Sequence, residues 1–486
     1  MKKEDLILLS NTLDKIMLFR DRDKYRIYKD TKELKNLIVE DIPYEGTPID
    51  MVEDDFNNRI LQFCVNDTSV MNMGFPDCGN ETSALVGTMY SEFIQQNLIN
   101  QSESSPSITF AEISVIRWMR HLLGYSNCSH NNLNGVYDVG GIVTFGGTVS
   151  NCIAMMLARE NKNKDSFHSG VTNPEEYKVI VPEDIGHYSI NASLNWLGLG
   201  DQVVTVKSKN FKIDKKDLKE KLIKNKGKVM ACVIYAGDSR SMTIDDFKGI
   251  CRIIREIDPN IWIHADACHG FVLSFSNKYA ALLEGINECD SITTDPHKTL
   301  MIPYGISCLL VKDPNSFRLI SSSSYNLVFD DDLFAFGRIT PFIGSKNSAS
   351  LKLWFLLKCL GVEKIGEIID ERIELTQFFY KLINSNERFI TINEPEMNSV
   401  MFCVKPLNIS NKNIEELNRI NYEIFKRVRE EGKYYIHSFE MNIQNKNISS
   451  KKPLRVLRFM SGNPQLKKED IEQLVYYIEE MIKGYE

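Results

Sequence analysis

Short apolar runs alternate with longer amphipathic stretches between residues 71 and 335. The short runs predict buried β-strands, and the stretches with apolar residues at every third or fourth position predict helices. Alternation of the two is typical of an α/β domain in which helices cover a mostly parallel sheet. The predicted strands are Gly141–Phe145, Tyr177–Val181, Val203–Val206, Val229–Tyr235, Trp262–Ile263, Ser291–Thr293 and Ser307–Val311.

The two ends of the chain have different patterns. Residues 1–70 are charged and favour helix, which predicts an N-terminal helical extension before the large domain of residues 71–335. Residues 336–486 contain strand candidates at Ser399–Val404 and Val456–Met460 and predict a small C-terminal α+β domain. The final helix has one apolar face, formed by Ile471, Leu474, Val475, Ile478, Met481 and Ile482.

Composition excludes several classes of protein. The chain has 486 residues, enough for a large domain with appendages, and its 43% hydrophobic content is ordinary for a soluble protein. A net charge of −7 with interspersed signs argues against a nucleic-acid surface. No apolar run reaches the roughly 20 residues of a membrane helix, and the first residues are too acidic for a signal peptide. The 11 cysteines form no Cys-x-x-Cys pair, so we expect a cytoplasmic protein with reduced thiols and no metal site.

A lysine and an aspartate follow two of the predicted strands. Lys298 closes the run Asp295-Pro296-His297-Lys298, and Asp266 stands 32 residues earlier (298 − 266). Because an α/β sheet gathers residues from the carboxyl ends of its strands, the two side chains are predicted to meet in one crevice. Such a lysine can form a Schiff base with an aldehyde cofactor while the carboxylate keeps a pyridinium nitrogen protonated. Taken singly, each residue is more often an ordinary surface charge or turn residue.

Two other segments fit the same chemistry. The glycine-rich turn Gly146–Asn151 lies between a predicted strand and the helical run Cys152–Arg159, an arrangement whose backbone N–H groups and helix dipole favour phosphate. Ser150 can add a side-chain donor, but the turn lacks the spacing of a Walker or dinucleotide motif. His187 follows the strand Tyr177–Val181, where its ring can lie over a flat cofactor or serve a purely structural purpose.

Together, in this order, the motifs resemble the group II pyridoxal-phosphate-dependent amino-acid decarboxylases, which include glutamate, aromatic-amino-acid and tyrosine decarboxylases. The resemblance spans residues 60–480 and is most specific at Pro296-His297-Lys298 with the upstream Asp266. It implies PLP fold type I, the aspartate-aminotransferase architecture, with pyridoxal 5'-phosphate as cofactor. It also implies a homodimer with active sites at the subunit interface, over which residues 1–70 would extend.

The resemblance assigns roles residue by residue. Lys298 matches the Schiff-base lysine, Asp266 the partner of the pyridinium nitrogen, and His187 the histidine that stacks on the ring and is implicated in protonation. Arg458, in the stretch Leu457–Pro464, matches the arginine that meets the substrate α-carboxylate. Further positions match the phosphate site (Val149, Ser150 and His297), the residue under the ring (Cys268) and the substrate pocket (Phe75 and Pro76).

Three features depart from the family pattern or resist alignment. Asp295 stands where close relatives often have asparagine, and a carboxylate beside a phosphate is repulsive unless it points away. Cys268 replaces an alanine. The segment Ser321–Asp332, rich in serine and aspartate, is predicted to be a mobile catalytic loop in which Tyr325 is the nearest candidate for the reprotonating acid, with His187 as the fallback.

The predicted reaction is decarboxylation of an L-amino acid to its amine and carbon dioxide, with a slight preference for an apolar or aromatic substrate. Other reactions on the same fold stay open: transamination, carbon–carbon lysis and decarboxylation coupled to aldehyde formation. A nucleotide-dependent oxidoreductase is disfavoured by the missing G-x-G-x-x-G spacing. A non-catalytic binding scaffold is disfavoured because Lys298, Asp266 and His187 are all present.

Overall fold

The computed structural model describes residues 3–164, 166–184, 186–321, 328, 331–340, 343–443, 448 and 452–486. The chain divides into two compact units. The larger unit comprises Gly79–Glu374 and Asn393–Ser399, and the smaller unit comprises Met1–Cys78, Leu375–Ile392 and Val400–Glu486.

The described residues form helices and strands with the following bounds. The helices are α1 (Lys3–Arg20), α2 (Thr31–Ile38), α3 (Ile49–Arg59), α4 (Thr82–Ile94), α5 (Ile108–Leu122), α6 (Gly147–Lys162), α7 (Ser166–Ser169), α8 (Tyr188–Trp196), α9 (Lys215–Lys224), α10 (Phe247–Ile257), α11 (Pro296–Thr299), α12 (Ser350–Asn384), α13 (Ile414–Glu431) and α14 (Lys468–Lys483). The strands are β1 (Gly141–Thr144), β2 (Lys178–Pro182), β3 (Val203–Val206), β4 (Ser208–Lys209), β5 (Lys212–Ile213), β6 (Val229–Tyr235), β7 (Trp262–Asp266), β8 (Ser291–Thr294), β9 (Ser307–Val311), β10 (Phe389–Thr391), β11 (Ser399–Val404), β12 (His437–Met441) and β13 (Leu454–Met460).

A seven-stranded sheet forms the centre of the larger unit, in the order β1-β9-β8-β7-β6-β2-β3. Strand β9 runs antiparallel to both of its neighbours, and the other strands run parallel to one another. Strands β6 and β7 are buried along their whole length, as expected for parallel strands that are covered on both faces. The predicted α/β class and mostly parallel sheet are confirmed, and the carboxyl ends of β2, β6, β7 and β8 share one edge.

The smaller unit has its own sheet and core. Its four strands have the order β10-β11-β13-β12. On β13, Leu457 and Phe459 are buried in a hydrophobic core that also contains Phe379 of α12 and the apolar face predicted for the last helix. Because side chains alternate along a strand, Arg458 lies on the opposite face from these two residues.

The division between the units differs from the predicted domain boundaries. Sequence patterns predict a boundary at 335/336, whereas the chain passes from the larger to the smaller unit between Glu374 and Leu375, in the part of α12 that follows its kink at Gly361. An amphipathic helix has none of the polar, glycine-rich composition that reveals a linker, so the pattern could not locate this boundary. The first 78 residues belong to the smaller unit, where Tyr25 and Met73 donate backbone hydrogen bonds to Lys433 and Tyr435. The predicted place of residues 1–70 at a dimer interface stays a prediction.

Among the helices of the described residues, none is long and apolar enough to cross a membrane.

Candidate active site

A cavity of about 360 Å³ lies in the larger unit, at the carboxyl edge of the seven-stranded sheet. Tyr235 and Asp266 are the last residues of β6 and β7, while His187 and Lys298 come shortly after β2 and β8. All four side chains line the cavity, together with Cys268, His297, Asp295 and the turn Gly146-Gly147-Thr148. The structure therefore brings together the lysine, the aspartate and the histidine that the sequence predicts to act jointly.

The lysine is held by a neighbouring carboxylate. Lys298 Nζ lies 2.9 Å from Asp295 Oδ2, and 22% of the lysine side chain is exposed, against 2% for the aspartate. Burial by itself lowers the pKa of the Lys298 ammonium, but the negative charges of the nearby Asp295 and Asp266 outweigh burial and raise this pKa well above its ordinary value. A proton must therefore leave Nζ before this amine can act as a nucleophile.

Asp266 is buried and ionised. Its Oδ2 accepts a hydrogen bond from Asn151 Nδ2 at 2.9 Å, and its Oδ1 accepts one from the Cys268 backbone N–H at 3.2 Å. Burial raises the pKa of this carboxyl, but His187, the hydrogen bond with Cys268 and the charge of Lys298 together bring it below its usual range. An ionised carboxylate at the cavity wall can hold a protonated ring nitrogen.

His187 is the N-cap residue of helix α8, and its ring lines the cavity. Its Nδ1 accepts the Ser189 backbone N–H at 3.3 Å and lies 2.8 Å from Ser189 Oγ, while its own backbone N–H donates to Tyr235 Oη at 2.9 Å. Burial is the main cause that lowers the pKa of His187, although Asp266 opposes it, so the ring is neutral near pH 7. The ring also packs against Tyr188, with centroids 4.4 Å apart.

The glycine-rich turn forms the start of helix α6 beside Lys298. As the first residues of α6, Gly147 and Thr148 have no carbonyl in a preceding turn of helix to receive their N–H groups, so these donors suit an anion. A Cβ atom on Gly147 would come within 2.6 Å of Asp295 Oδ2 and 2.8 Å of Cys268 Sγ, so the site has room for glycine only. The turn, the amine and the ionised carboxylate are the groups that a phosphorylated pyridine aldehyde requires.

The Asp295 carboxylate lies where the cavity would bind an anion, and its negative charge opposes such binding. Its Oδ1 is buried and has no hydrogen-bond partner in the part of the chain that the structure describes. The carboxylate faces Gly147 at the start of α6, and its charge is compensated by Lys298. A phosphate at this turn therefore has to share the neighbourhood with a carboxylate that remains paired with the lysine.

Two predicted phosphate residues have other surroundings. The Ser150 hydroxyl is fully buried and forms hydrogen bonds with the hydroxyls of Thr144 at 2.8 Å and Ser307 at 2.9 Å, which join α6 to β1 and β9. Neither Ser150 nor Val149 lines the cavity. His297 does line it, and burial lowers the pKa of its ring. The pattern of residue types could not reveal that the Ser150 side chain points into the packed layer between helix and sheet.

The predicted substrate residues lie in the smaller unit. Arg458 is 3% exposed, and its Nη2 donates to the Gly74 carbonyl at 2.9 Å. Its guanidinium lies 5.3 Å from the centroid of the Phe75 ring. His437, the cross-strand partner of Arg458, has its pKa lowered to about 4 by burial and by the arginine. The structure thus gathers Arg458 and Phe75 next to the buried Pro76, while Tyr325 lies outside the described residues.

Sequence patterns missed several residues of the site. Tyr235 carries no signal because it ends a strand that is otherwise apolar. Asn151 belongs to the predicted glycine-rich turn, but its contact with Asp266 joins residues 115 positions apart. His264 and Ser189 contact Asn151 in the same way and were likewise not predicted.

Comparisons with known proteins agree on one family. The model of the pyridoxal-dependent decarboxylase conserved domain matches residues 31–405. The chain is 30% identical over 357 residues to the L-2,4-diaminobutyrate decarboxylase of Acinetobacter baumannii, which covers 68% of each protein. It is 25% identical over 380 residues to the aromatic-L-amino-acid decarboxylase of Bacillus atrophaeus, covering 76% of this chain and 72% of that relative.

A solved structure shares the fold along the whole chain. The crystal structure of Oryza sativa TDC with PLP and tryptamine matches with a TM-score of 0.88 and 16% identity, covering 100% of this chain and 99% of that one. At this identity the likeness shows the fold alone.

Proposed function

Because this chain belongs to the pyridoxal-dependent decarboxylase family, we propose that it removes the α-carboxylate of an apolar or aromatic L-amino acid. The enzyme is a carboxy-lyase of PLP fold type I, and pyridoxal 5'-phosphate is its cofactor. The assembly of Lys298, Asp266 and His187 in one cavity is the observation that supports placing the chemistry there. A homodimer and a cytoplasmic location stay predictions from the resemblance and the composition.

The bound cofactor supplies an electron-withdrawing ring that accepts the electron pair of the breaking bond between Cα and the carboxylate. Lys298 Nζ would be the nucleophile that holds the aldehyde carbon of the cofactor, and it has to lose its proton first. Asp266 would keep a proton on the ring nitrogen of the cofactor, because its ionised carboxylate would stabilise the positive charge there. The backbone N–H groups of Gly147 and Thr148 would bind the phosphate of the cofactor.

Cα must gain a proton after carbon dioxide has left, so the site needs a proton donor. The Nδ1 atom of His187 contacts the hydroxyl and the backbone N–H of Ser189. The other ring nitrogen, Nε2, is therefore the one that can contact a substrate in the cavity. We therefore propose His187 as a proton donor at Nε2 if the predicted Tyr325 does not serve. The donating form must be the imidazolium, because a neutral imidazole is too weak an acid to protonate carbon. Since the pKa of His187 is lowered, the ring has to take up a proton before it can donate one at Nε2.

Aromatic side chains around the cavity support the preference for a flat apolar substrate. Phe145, Tyr188 and Tyr304 all line the cavity, and they are exposed by 63%, 68% and 62%. Large exposed rings at a cavity mouth bind other rings through apolar contact and stacking. A tyrosine, phenylalanine or tryptophan side chain is the substrate group that matches this lining.

A second candidate is L-2,4-diaminobutyrate. The observation that favours it is the 30% identity to the decarboxylase that carries this name in Acinetobacter baumannii. The substrate would then have a side-chain ammonium group in place of a ring.

A substrate screen tests the proposal. The purified enzyme with pyridoxal 5'-phosphate is incubated with each proteinogenic amino acid and with L-2,4-diaminobutyrate, and amine, carbon dioxide, aldehyde and peroxide are measured. We expect equal amounts of amine and carbon dioxide, with the highest kcat/KM on an aromatic or apolar amino acid. A higher value on diaminobutyrate selects the second candidate, and aldehyde with peroxide would replace simple decarboxylation by its oxidative variant. Borohydride-treated enzyme is the blank.

The arginine of the smaller unit has a separate test. We propose that Arg458 binds the substrate carboxylate, so Arg458→Lys should raise KM about 10-fold to 100-fold, since a charge-assisted hydrogen bond contributes roughly 1.5–3 kcal/mol. Steady-state kinetics on the best substrate measures this change. Arg455→Lys is the matched control, because Arg455 lies on the same strand and pairs with Glu440 at the surface. Equal KM values in the two variants would contradict the proposed role.

A further inference from the structure

Asn151 forms a buried junction between Asp266 and His187. It is 1% exposed and is the fifth residue of α6. Its Nδ2 donates to Asp266 Oδ2 and to Ser189 Oγ, each at 2.9 Å. Ser189 Oγ in turn lies 2.8 Å from His187 Nδ1. A single amide group therefore connects the carboxylate and the imidazole that the proposed function uses.

The same amide has a third partner on its other side. His264 Nε2 lies 3.0 Å from Asn151 Oδ1 and 3.5 Å from Thr293 Oγ1. His264 Nδ1 lies 2.8 Å from Ser291 Oγ, which accepts the Trp262 Nε1–H at 2.7 Å. His264 is fully buried and its pKa is lowered to about 4, mainly by burial, so this ring is neutral.

The charge of Asp266 determines where every proton in this chain of contacts lies. An ionised carboxylate accepts hydrogen bonds and donates none, so the Nδ2 side of Asn151 must face it. Oδ1 of the amide then faces His264, which must carry its proton on Nε2 and accept the Ser291 hydroxyl at Nδ1. The second Nδ2 proton points to a lone pair of Ser189 Oγ, and the Ser189 hydroxyl proton then points to His187 Nδ1. The Ser189 backbone N–H donates to the same Nδ1 at the longer distance of 3.3 Å.

We propose that Asn151 is a positioning residue that fixes the Asp266 carboxylate and, through Ser189, holds His187 in the tautomer with its proton on Nε2. The proposal rests on the functions proposed above for Asp266 and His187. Asparagine suits this place because it offers two donors and one acceptor in one plane. An aspartate of the same shape would place a second negative charge beside Asp266 and would accept the Ser189 proton, so that His187 loses its hydroxyl donor.

The histidine tautomers can be measured by NMR in the cofactor-free protein, without an activity assay. The full chain is prepared free of cofactor with ¹⁵N-imidazole histidine, and the nitrogen shifts of the eight histidines are recorded at pH 7. His187→Gln and His264→Gln assign the two signals. In the parent protein we expect both rings to be protonated on Nε2 alone. In Asn151→Asp we expect His187 to become a mixture of tautomers, because the Ser189 hydroxyl turns toward the new carboxylate.

Two further variants keep the test decisive. Ser189→Ala removes the hydroxyl donor at 2.8 Å and leaves only the 3.3 Å contact from the backbone N–H of residue 189 to His187 Nδ1. It should therefore increase the share of the His187 tautomer protonated on Nδ1 while His264 stays unchanged, even if Asn151→Asp does not fold. Asn393→Asp is the matched control, because this buried amide donates to the carbonyls of Ser241 and Ser399 away from both histidines. It should leave the His187 tautomer as it is.

The loaded enzyme gives an independent measurement. Asn151→Asp should retain its cofactor, measured by absorbance, while kcat falls at least tenfold and KM changes little. An unchanged His187 tautomer in folded Asn151→Asp, or in Ser189→Ala if the other variant does not fold, would overturn the proposal. Because the nitrogen shifts are read without cofactor, they decide the positioning role even if Asp266 or His187 proves to have no part in catalysis.

Discussion

Replacing Lys298 with alanine should reduce turnover roughly 10³-fold or more, since the change removes the nucleophile that holds the cofactor. The protein should stay folded, because the lysine side chain is partly exposed and contributes little to a core. Its loss leaves the buried Asp295 carboxylate without its counter-charge, so some loss of stability is expected as well. Thermal unfolding of the cofactor-free protein separates this effect from the loss of chemistry.

The attachment itself can be located. Borohydride reduction of the yellow holoenzyme should fix the cofactor to a single peptide that contains Lys298, which mass mapping identifies. Lys278→Ala serves as the control, because Lys278 belongs to the same unit but forms a surface ion pair with Glu374. Label on any other lysine, or full activity of Lys298→Ala, would show that the cavity has been misassigned.

Asp266→Asn should keep the cofactor bound and lose turnover by about 100-fold. A neutral amide cannot hold the ring nitrogen charged, and a hydrogen bond to a charged group contributes roughly 1.5–3 kcal/mol, more where the site is desolvated. The new amide would also present a donor to Asn151 Nδ2, which donates to Asp266 in the parent protein. Cofactor content from absorbance and kcat from carbon dioxide release are the two measurements.

A second buried carboxylate provides the comparison for Asp266. Asp245 accepts the backbone N–H groups of Ile213 and Tyr235 and does not line the cavity. Asp245→Asn should cost stability but leave kcat within a few-fold of the parent, because Asp245 has no contact with the reacting groups. Near-normal kcat in Asp266→Asn, or an equal fall in both variants, would reduce Asp266 to a structural residue.

Local patterns located the strands well because a buried parallel strand has a continuous apolar run. The predicted runs at Val203–Val206, Val229–Tyr235 and Ser307–Val311 coincide with β3, β6 and β9. The cavity was predictable for the same reason, since residues that follow neighbouring parallel strands meet at one edge. Lys298, Asp266 and His187 could be placed together on that basis.

Side-chain direction and long-range contacts were beyond such patterns. Ser150 was predicted to face an anion, yet its hydroxyl lies against Thr144 and Ser307 inside the helix–sheet layer. The pairing of Asn151 with Asp266 depends on how α6 crosses β7, which no local feature of either segment encodes. The two compact units divide inside α12, where the sequence has no linker-like composition, and the predicted domains 71–335 and 336–486 stay predictions.

The smaller unit is built from segments that are far apart in the sequence, and this affects how it can fold during synthesis on the ribosome. Its first segment leaves the exit tunnel early, but Met73 donates to the carbonyl of Tyr435, and Arg458 donates to that of Gly74. These partners are translated more than 350 residues later (435 − 73 = 362; 458 − 74 = 384). The larger unit can therefore fold on the emerging chain while the segment around Met73 and Gly74 is exposed to proteases and chaperones until Tyr435 and Arg458 have been synthesised.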